Sequence, residues 1–144
     1  RGWYVIGRSS KHKQVRTFKL NRVKEMTVLD KCYISPGKFD IDEYFGNAWS
    51  MIPQGRICHV ELKFTPKVAK NVYEVHWHKS QKSTLNEDGS LNVEFTIDGL
   101  GEIMWWILGY GDQVEVLAPA ELRKKIAEIG KNISEVNSTQ NTKA

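Results

Sequence analysis

Two arginines and an aromatic ring recur at alternate positions in the segment from Gln14 to Arg22. Arg16, Phe18 and, if the strand extends that far, Arg22 share one face, because successive side chains of a strand point to opposite sides. Arg16 and Phe18 are then about 6.6 Å apart along the strand, so one ligand can contact a guanidinium group and a flat ring together. This combination suits a phosphate and a stacked base. The alternation fits equally well a barrel core with arginines at its rims, and the pattern alone leaves both interpretations open.

The other chemically capable residues do not combine into a catalytic or metal centre. His76 and His78 share a face if their segment is extended, but no third ligand stands at metal-binding spacing. Cys58 and His59 are adjacent, so in a strand they point to opposite faces and cannot form a nucleophile–base pair. The sequence also lacks a Walker loop and a Gly-x-Ser-x-Gly motif. We therefore expect a protein that is not an enzyme and needs neither a metal nor a cofactor.

Positive charge is concentrated at the start of the chain. Residues 1–39 hold ten Lys and Arg against two acids, a net charge of +8, whereas residues 40–144 hold eleven Lys and Arg against fifteen acids, a net charge of −4. Such a division indicates that the first segment attracts anions and the second does not. No apolar stretch approaches the about 20 residues that a membrane span requires, so we expect no membrane partner.

The first part of the chain is predicted to be all-β. Trp3-Tyr4-Val5-Ile6 and the alternating segment 14–20 surround a polar turn, which predicts a β-hairpin with a basic tip. A further strand-like run covers residues 26–29. Because three strands bury too little apolar surface to be stable alone, we expect additional strands from upstream residues or from a partner.

The second part alternates between strand-like and helical segments. One helical turn is predicted at residues 40–45, with acids at its amino-terminal end. The elements after it are predicted as strand 57–64, helix 66–75, strands 81–85 and 91–97, helix 100–109 and strand 113–117. The order βαββαβ is that of a ferredoxin-like fold, in which two helices pack on one face of an antiparallel sheet.

Two features at the end of the chain concern its helices. The helical segment Ile103–Leu108 is apolar nearly all round, so one side is expected on the sheet and the other on a second subunit, an upstream segment or the last helix. That last helix is predicted from Pro119 to about Ile129, where Gly130 acts as a stop. Residues 130–144 are polar and are predicted to be a disordered tail.

Several motifs in this order resemble those of the WYL domain and its carboxy-terminal extension, called WCX. Trp3-Tyr4-Val5 is similar to the Trp-Tyr-Leu motif, with Val in place of Leu, and residues 16–23 resemble the downstream Arg-x-Phe-x-Leu-Asp-Arg-Ile strand, with Asn21 in place of Asp. The later segments that resemble the domain linker and WCX are Tyr33-Ile34-Ser35-Pro36, residues 39–45, Gln81, Asp88-Gly89, residues 106–111, residues 114–117, Pro119 and Leu122-Arg123.

The resemblance implies an α+β architecture: a partial Sm-like β-barrel followed by a ferredoxin-like βαββαβ domain with a C-terminal helix. Its expected divisions are the C-terminal part of the WYL barrel at 1–39, a linker with a short helix at 40–55, the WCX domain at 56–129 and the tail at 130–144. The first strands of the barrel and the helix-turn-helix domain that normally precede this region are absent from these 144 residues.

The same resemblance implies a cytoplasmic, homodimeric bacterial transcriptional regulator. Its basic pocket is expected to sense single-stranded nucleic acid or a nucleotide, and promoter DNA is contacted only through the helix-turn-helix domain. Carried over by position, the ligand-binding residues are Tyr4, Arg16, Phe18 and Arg22, with Arg123 approaching from the WCX side. The alternative is a protein-interaction and dimerisation module whose basic face contacts an acidic partner.

Overall fold

The computed structural model describes residues 2–32 and 37–138. The chain divides into two compact units between Phe39 and Asp40. We call the first the hairpin unit and the second the sheet unit. Two antiparallel sheets and four α-helices among the described residues confirm the predicted α+β class.

The hairpin unit is built on two antiparallel strands, β1 (Tyr4–Ser9) and β2 (Gln14–Lys19). Val5 pairs with Phe18 and Gly7 with Arg16, and a 3₁₀ turn over Leu20–Arg22 follows β2. The predicted hairpin is therefore present. The Sm-like barrel extends beyond these two strands and stays a prediction.

The strand predicted at residues 26–29 is wrong for the described structure. These residues form no strand, and the Val28 side chain is 90% exposed. A strand needs a hydrogen-bonding partner, and the hairpin offers none to this segment among the described residues. Residues 33–36, which resemble the domain linker, lie outside the described residues.

A short helix, α1 (Ile41–Phe45), opens the sheet unit at the predicted place. The Asp40 carboxylate caps it by accepting from the backbone N–H groups of Asp42 at 2.8 Å and Glu43 at 3.0 Å. These bonds satisfy two of the donors that a helix leaves unpaired at its amino-terminal end.

The βαββαβ order predicted for the rest of the unit is confirmed. The elements are β3 (Ile57–Phe64), α2 (Pro66–Tyr73), β4 (Lys82–Leu85), β5 (Leu91–Asp98), α3 (Gly101–Leu108) and β6 (Val114–Ala118). The four strands lie in the order β4-β5-β3-β6, which is the antiparallel arrangement of a ferredoxin-like sheet.

One face of this sheet forms the core and the other is open to solvent. Alternate residues of β3 and β5 are buried against α2 and α3, and the fully buried side chains include Leu62, Phe64, Phe95 and Ile103. The intervening residues of β3 and β5 are polar and face outward, among them His59, Glu61 and Glu94. Lys63 and Lys82 share this face, so the open side of the sheet carries charges of both signs.

The loop between α1 and β3 is fixed to the β5–α3 corner by side chains. The Glu102 carboxylate accepts from the backbone N–H groups of Ser50 at 3.0 Å, Met51 at 3.0 Å and Ile52 at 3.1 Å. The Gln54 Oε1 atom accepts from the backbone N–H of Leu100 at 3.1 Å, at the start of α3. The loop is thus an integral part of the sheet unit.

The last helix is longer than predicted. Helix α4 (Ala120–Ser138) continues through Gly130, so the predicted stop is wrong, and the predicted tail is helical as far as Ser138. Ile126, Ile129 and Ile133 keep the three- and four-residue apolar spacing of a helix across the glycine. One exposed glycine costs only about 1 kcal/mol in a helix. Residues 139–144 lie outside the described residues.

No helix in the described ranges has the length and apolar character needed to cross a membrane.

Candidate nucleic-acid interface

Arg16 and Phe18 lie on the same side of β2, as the alternation predicts. Their partners on β1 are Gly7 and Val5, and paired residues of an antiparallel ladder share a face. Gly7 has no side chain, so nothing opposite covers the Arg16 guanidinium group. Arg16 is exposed and the Phe18 side chain is 42% exposed. In the described hairpin unit this face is therefore open to solvent.

Tyr4 is not brought to this face. It pairs with Lys19, which alternates with Phe18 along β2, so the Tyr4 side chain projects from the opposite side of the hairpin. The structure thus separates Tyr4 from the two residues with which the family resemblance groups it.

Arg22 does not continue the alternation of β2. The strand ends at Lys19, and Arg22 is the last residue of the 3₁₀ turn, so strand alternation does not set its direction. The turn is fixed by two backbone bonds, from the Leu20 N–H to the Trp3 carbonyl at 2.9 Å and from the Val23 N–H to the Leu20 carbonyl at 3.0 Å. Arg22 is exposed and adjoins the end of β2.

The cations of the hairpin unit are electrostatically available. Across residues 2–32 and 37–138, the ion pairs involve cations of the sheet unit, such as Arg56 with Glu121 at 2.8 Å, and none from the hairpin. Exposed cations without a carboxylate partner keep their full attraction for a polyanion.

Arg123 joins α4 to β6. Its Nε atom donates to the Val116 carbonyl at 2.7 Å, and its Nη2 atom donates to the Leu117 carbonyl. These bonds tie α4 to β6. The guanidinium group is therefore largely used within the sheet unit.

The His78 side chain of the sheet unit is buried and contacts other side chains of that unit. The His78 ring is only 7% exposed, stacks on Trp49 with the ring centroids 5.9 Å apart, and has Nδ1 2.7 Å from the Ser80 hydroxyl. Burial lowers the pKa of the His78 imidazole below its ordinary value.

Cys58 faces the core and His59 the open side of the sheet, which confirms that they point apart. Within the described ranges, no cluster of three His, Cys, Asp or Glu side chains is arranged to hold a metal ion.

Comparison with known protein families agrees with this fold. The family model of the WCX domain matches residues 56–134, more than half of the chain, and that of the WYL domain matches residues 1–28. The chain therefore belongs to the WCX domain family and carries a WYL-domain segment ahead of the WCX domain, which confirms the resemblance seen in the sequence.

Among solved structures, the chain is similar to Proteasome accessory factor B/C (PafBC) of Arthrobacter aurescens, at 20% sequence identity and a TM-score of 0.43. The match covers 90% of this chain and 19% of that protein, so the chain spans about a fifth of its length. No curated protein matches the sequence.

Proposed function

We propose that this chain is the ligand-sensing, dimerising and non-catalytic module of a bacterial transcriptional regulator. It binds single-stranded nucleic acid or a nucleotide-like anion and thereby controls an attached helix-turn-helix domain. Membership of the WYL and WCX families supports the regulatory role. The observation that carries the ligand class is the open face on which Arg16 and Phe18 lie together without a carboxylate partner.

In this proposal the ligand is recognised by three residues: Arg16 and Arg22 contact its phosphate groups, and Phe18 contacts a base. The planar guanidinium groups donate paired hydrogen bonds to phosphate oxygens, which a point charge cannot do with the same geometry. The Phe18 ring offers a flat surface for a base, an interaction worth about 1–3 kcal/mol. Tyr4 projects from the other side of the hairpin and the Arg123 guanidinium donates to β6, so neither is part of the site that we propose. Ligand binding then changes the populations of regulator conformations without any chemical step.

Replacing both arginines is expected to remove binding of a single-stranded oligonucleotide. The Arg16→Ala/Arg22→Ala variant loses two charge-assisted contacts, each worth about 1.5–3 kcal/mol, so affinity should fall by about 100-fold or more. Fluorescence anisotropy with labelled oligothymidylate of about 12 nucleotides at low salt measures this loss.

A matched control for this experiment is Lys67→Ala/Lys124→Ala, which removes the same charge from exposed positions of the sheet unit. It should change affinity by no more than about twofold, since surface charges outside the proposed site act only through the screened field. The proposal fails if the unmodified chain does not bind the probe at low salt, or if both double variants bind equally.

A second candidate function, self-association or protein interaction, is favoured by one observation in the sheet unit. Trp105 on α3 is 68% exposed, although its neighbours Ile103 and Ile107 are fully buried. An exposed tryptophan on an otherwise apolar helix is typical of the anchor residues of protein interfaces. We propose that this side of α3 contacts a second copy of the chain.

If so, Trp105→Ala should weaken the dimer by about 30-fold, as expected for an interface anchor worth about 2 kcal/mol. Light scattering after size-exclusion chromatography over a concentration series measures the monomer–dimer equilibrium. Tyr73→Ala on α2 removes another exposed ring and should leave it unchanged. A tight dimer that is indifferent to oligonucleotides would favour the interaction module with an acidic protein partner over the sensor.

A further inference from the structure

Gly7 lies in the interior of β1, where the fold itself gives no reason for a glycine. Its φ is outside the left-handed region that favours glycine, and a Cβ added at this position would meet no atom within 4 Å. Glycine also weakens a strand, because it has no side chain to pack and loses much conformational freedom on folding. Inside a strand it often marks a place where a ligand or another backbone approaches closely.

The pairing of the hairpin puts this glycine in the middle of the proposed binding face. Three alternate cross-strand pairs form that face, and they are Val5–Phe18, Gly7–Arg16 and Ser9–Gln14. The first pair is apolar, the last is polar, and the middle pair is a cation opposite bare backbone. The two side chains that limit the bare stretch of β1, Val5 and Ser9, are about 13 Å apart along the strand. The face therefore has a flat area of backbone beside the Arg16 guanidinium group and the Phe18 ring.

This flat area matters to a planar base and not to a phosphate. A phosphate group needs hydrogen-bond donors, which Arg16 supplies whether or not the opposite position carries a side chain. A base binds by laying the face of its ring against Phe18. Side chains of a strand stand roughly perpendicular to the sheet, so one at position 7 would hold the base away from that ring.

We propose that Gly7 is a specificity-determining residue of this face. Its lack of a side chain lets a nucleobase lie flat across β1 and β2, with the base on Phe18 and its phosphate on Arg16. This inference rests on the proposed function. It adds that the ligand is selected by its base, so that a polyanion without bases is held by the arginines alone.

The test compares substitutions at Gly7 with one on the opposite face of the hairpin. Gly7→Val adds a branched side chain of high strand propensity, and Gly7→Ala adds a methyl group for which the structure has open space. The control is Val15→Phe, which adds bulk at a residue that alternates with Arg16 and projects from the other face.

Two labelled strands of equal length and charge serve as probes in fluorescence anisotropy at low salt. One is oligothymidylate of about 12 nucleotides, and the other is an abasic deoxyribose phosphate strand. The abasic strand keeps every phosphate and lacks every base. A variant with a disrupted hairpin would therefore bind both probes more weakly, whereas an obstructed base would affect oligothymidylate alone.

Gly7→Val is expected to bind oligothymidylate at least about tenfold more weakly, since a stacked base contributes that much affinity. Its affinity for the abasic strand should stay within about twofold of that of the unmodified chain, because the phosphate contacts remain. Val15→Phe should bind both probes as the unmodified chain does. Gly7→Ala should show the same selectivity with a loss of about threefold, and it replaces Gly7→Val in the comparison if the valine disrupts the hairpin.

The inference is overturned if the Gly7 variants weaken both probes equally or neither of them, or if Val15→Phe reproduces their effect. It is also overturned if the unmodified chain binds the two probes equally well. Each of these results leaves the proposed function intact, because the unmodified chain still binds the single strand. If the unmodified chain binds neither probe, the proposed function fails and this inference fails with it.

Discussion

Replacing Trp106 with alanine is expected to lower the free energy of unfolding of the sheet unit by about 3–5 kcal/mol. The Trp106 ring, on α3, is partly buried at the centre of an aromatic cluster that packs on the core of the sheet unit. Its centroid is 5.0 to 5.8 Å from those of Trp49, Phe64, Trp77, Phe95 and Tyr110. Removing the central ring leaves a cavity that five surrounding rings cannot close. Since domains are stable by only about 5–15 kcal/mol, much of the stability would be lost.

Two further variants show whether the loss comes from the cavity. The indole N–H of Trp106 is buried without a hydrogen-bond partner among the described residues, so Trp106→Phe keeps most of the ring and removes an unpaired donor. We expect Trp106→Phe to cost far less than Trp106→Ala, and Tyr73→Ala, at an exposed ring, to change stability by no more than about 0.5 kcal/mol. Urea unfolding followed by circular dichroism measures all three. A Trp106→Ala variant as stable as Tyr73→Ala would refute the central packing role.

Replacing Gly99 with alanine is expected to destabilise the sheet unit by about 2–4 kcal/mol. Gly99 has φ of 90°, a backbone region that side chains rarely adopt, and an added Cβ would clash with Oε1 of Gln54. Relieving that clash moves the Gln54 amide, whose oxygen accepts from the Leu100 N–H at the start of α3. The variant therefore combines backbone strain with the loss of a helix-capping bond.

A comparison with a second glycine separates the cost of backbone strain from the cost of the lost helix-capping bond. Gly55 also has a positive φ, 76°, but a Cβ there meets no atom within 4 Å, so Gly55→Ala should show the strain alone, about 1–2 kcal/mol. Removing the obstructing side chain in Gly99→Ala/Gln54→Ala should cost less than the sum of the two single changes. Thermal and urea unfolding provide these values. Strict additivity would mean that Gln54 does not oppose the new methyl group.

The fold of the sheet unit was predictable because each of its elements is marked by a local feature of the sequence, and these features agree with each other. Pro66 starts α2, the alternation of β3 and β5 separates a buried from an open face, and Gly89 marks the turn between β4 and β5. The helix end was not predictable from Gly130 alone, because the apolar spacing beyond the glycine outweighs a breaker of about 1 kcal/mol. The strand predicted at residues 26–29 is absent for another reason. A segment with high strand propensity forms a strand only when a partner strand is available to it.

The candidate site was predictable only in part. Alternation correctly places Arg16 and Phe18 on one face, since it depends on a single strand. The position of Tyr4 depends on the register between two strands, and a shift of one residue changes the face of every side chain. The carbonyl partners of Arg123 come from backbone geometry and have no signature in the sequence.

The open face of the sheet has a consequence for how a polyanion binds this protein. Four-stranded sheets of RNA-recognition modules bind single strands through aromatic rings on the exposed surface. Here polar and charged residues, among them His59, Glu61 and Glu94, occupy the outward positions of β3 and β5 in place of aromatic rings. The two units carry opposite net charges, so a polyanion is attracted to the hairpin unit and repelled by the sheet unit. The rate at which a polyanion associates with the hairpin unit should therefore fall as added salt screens the field.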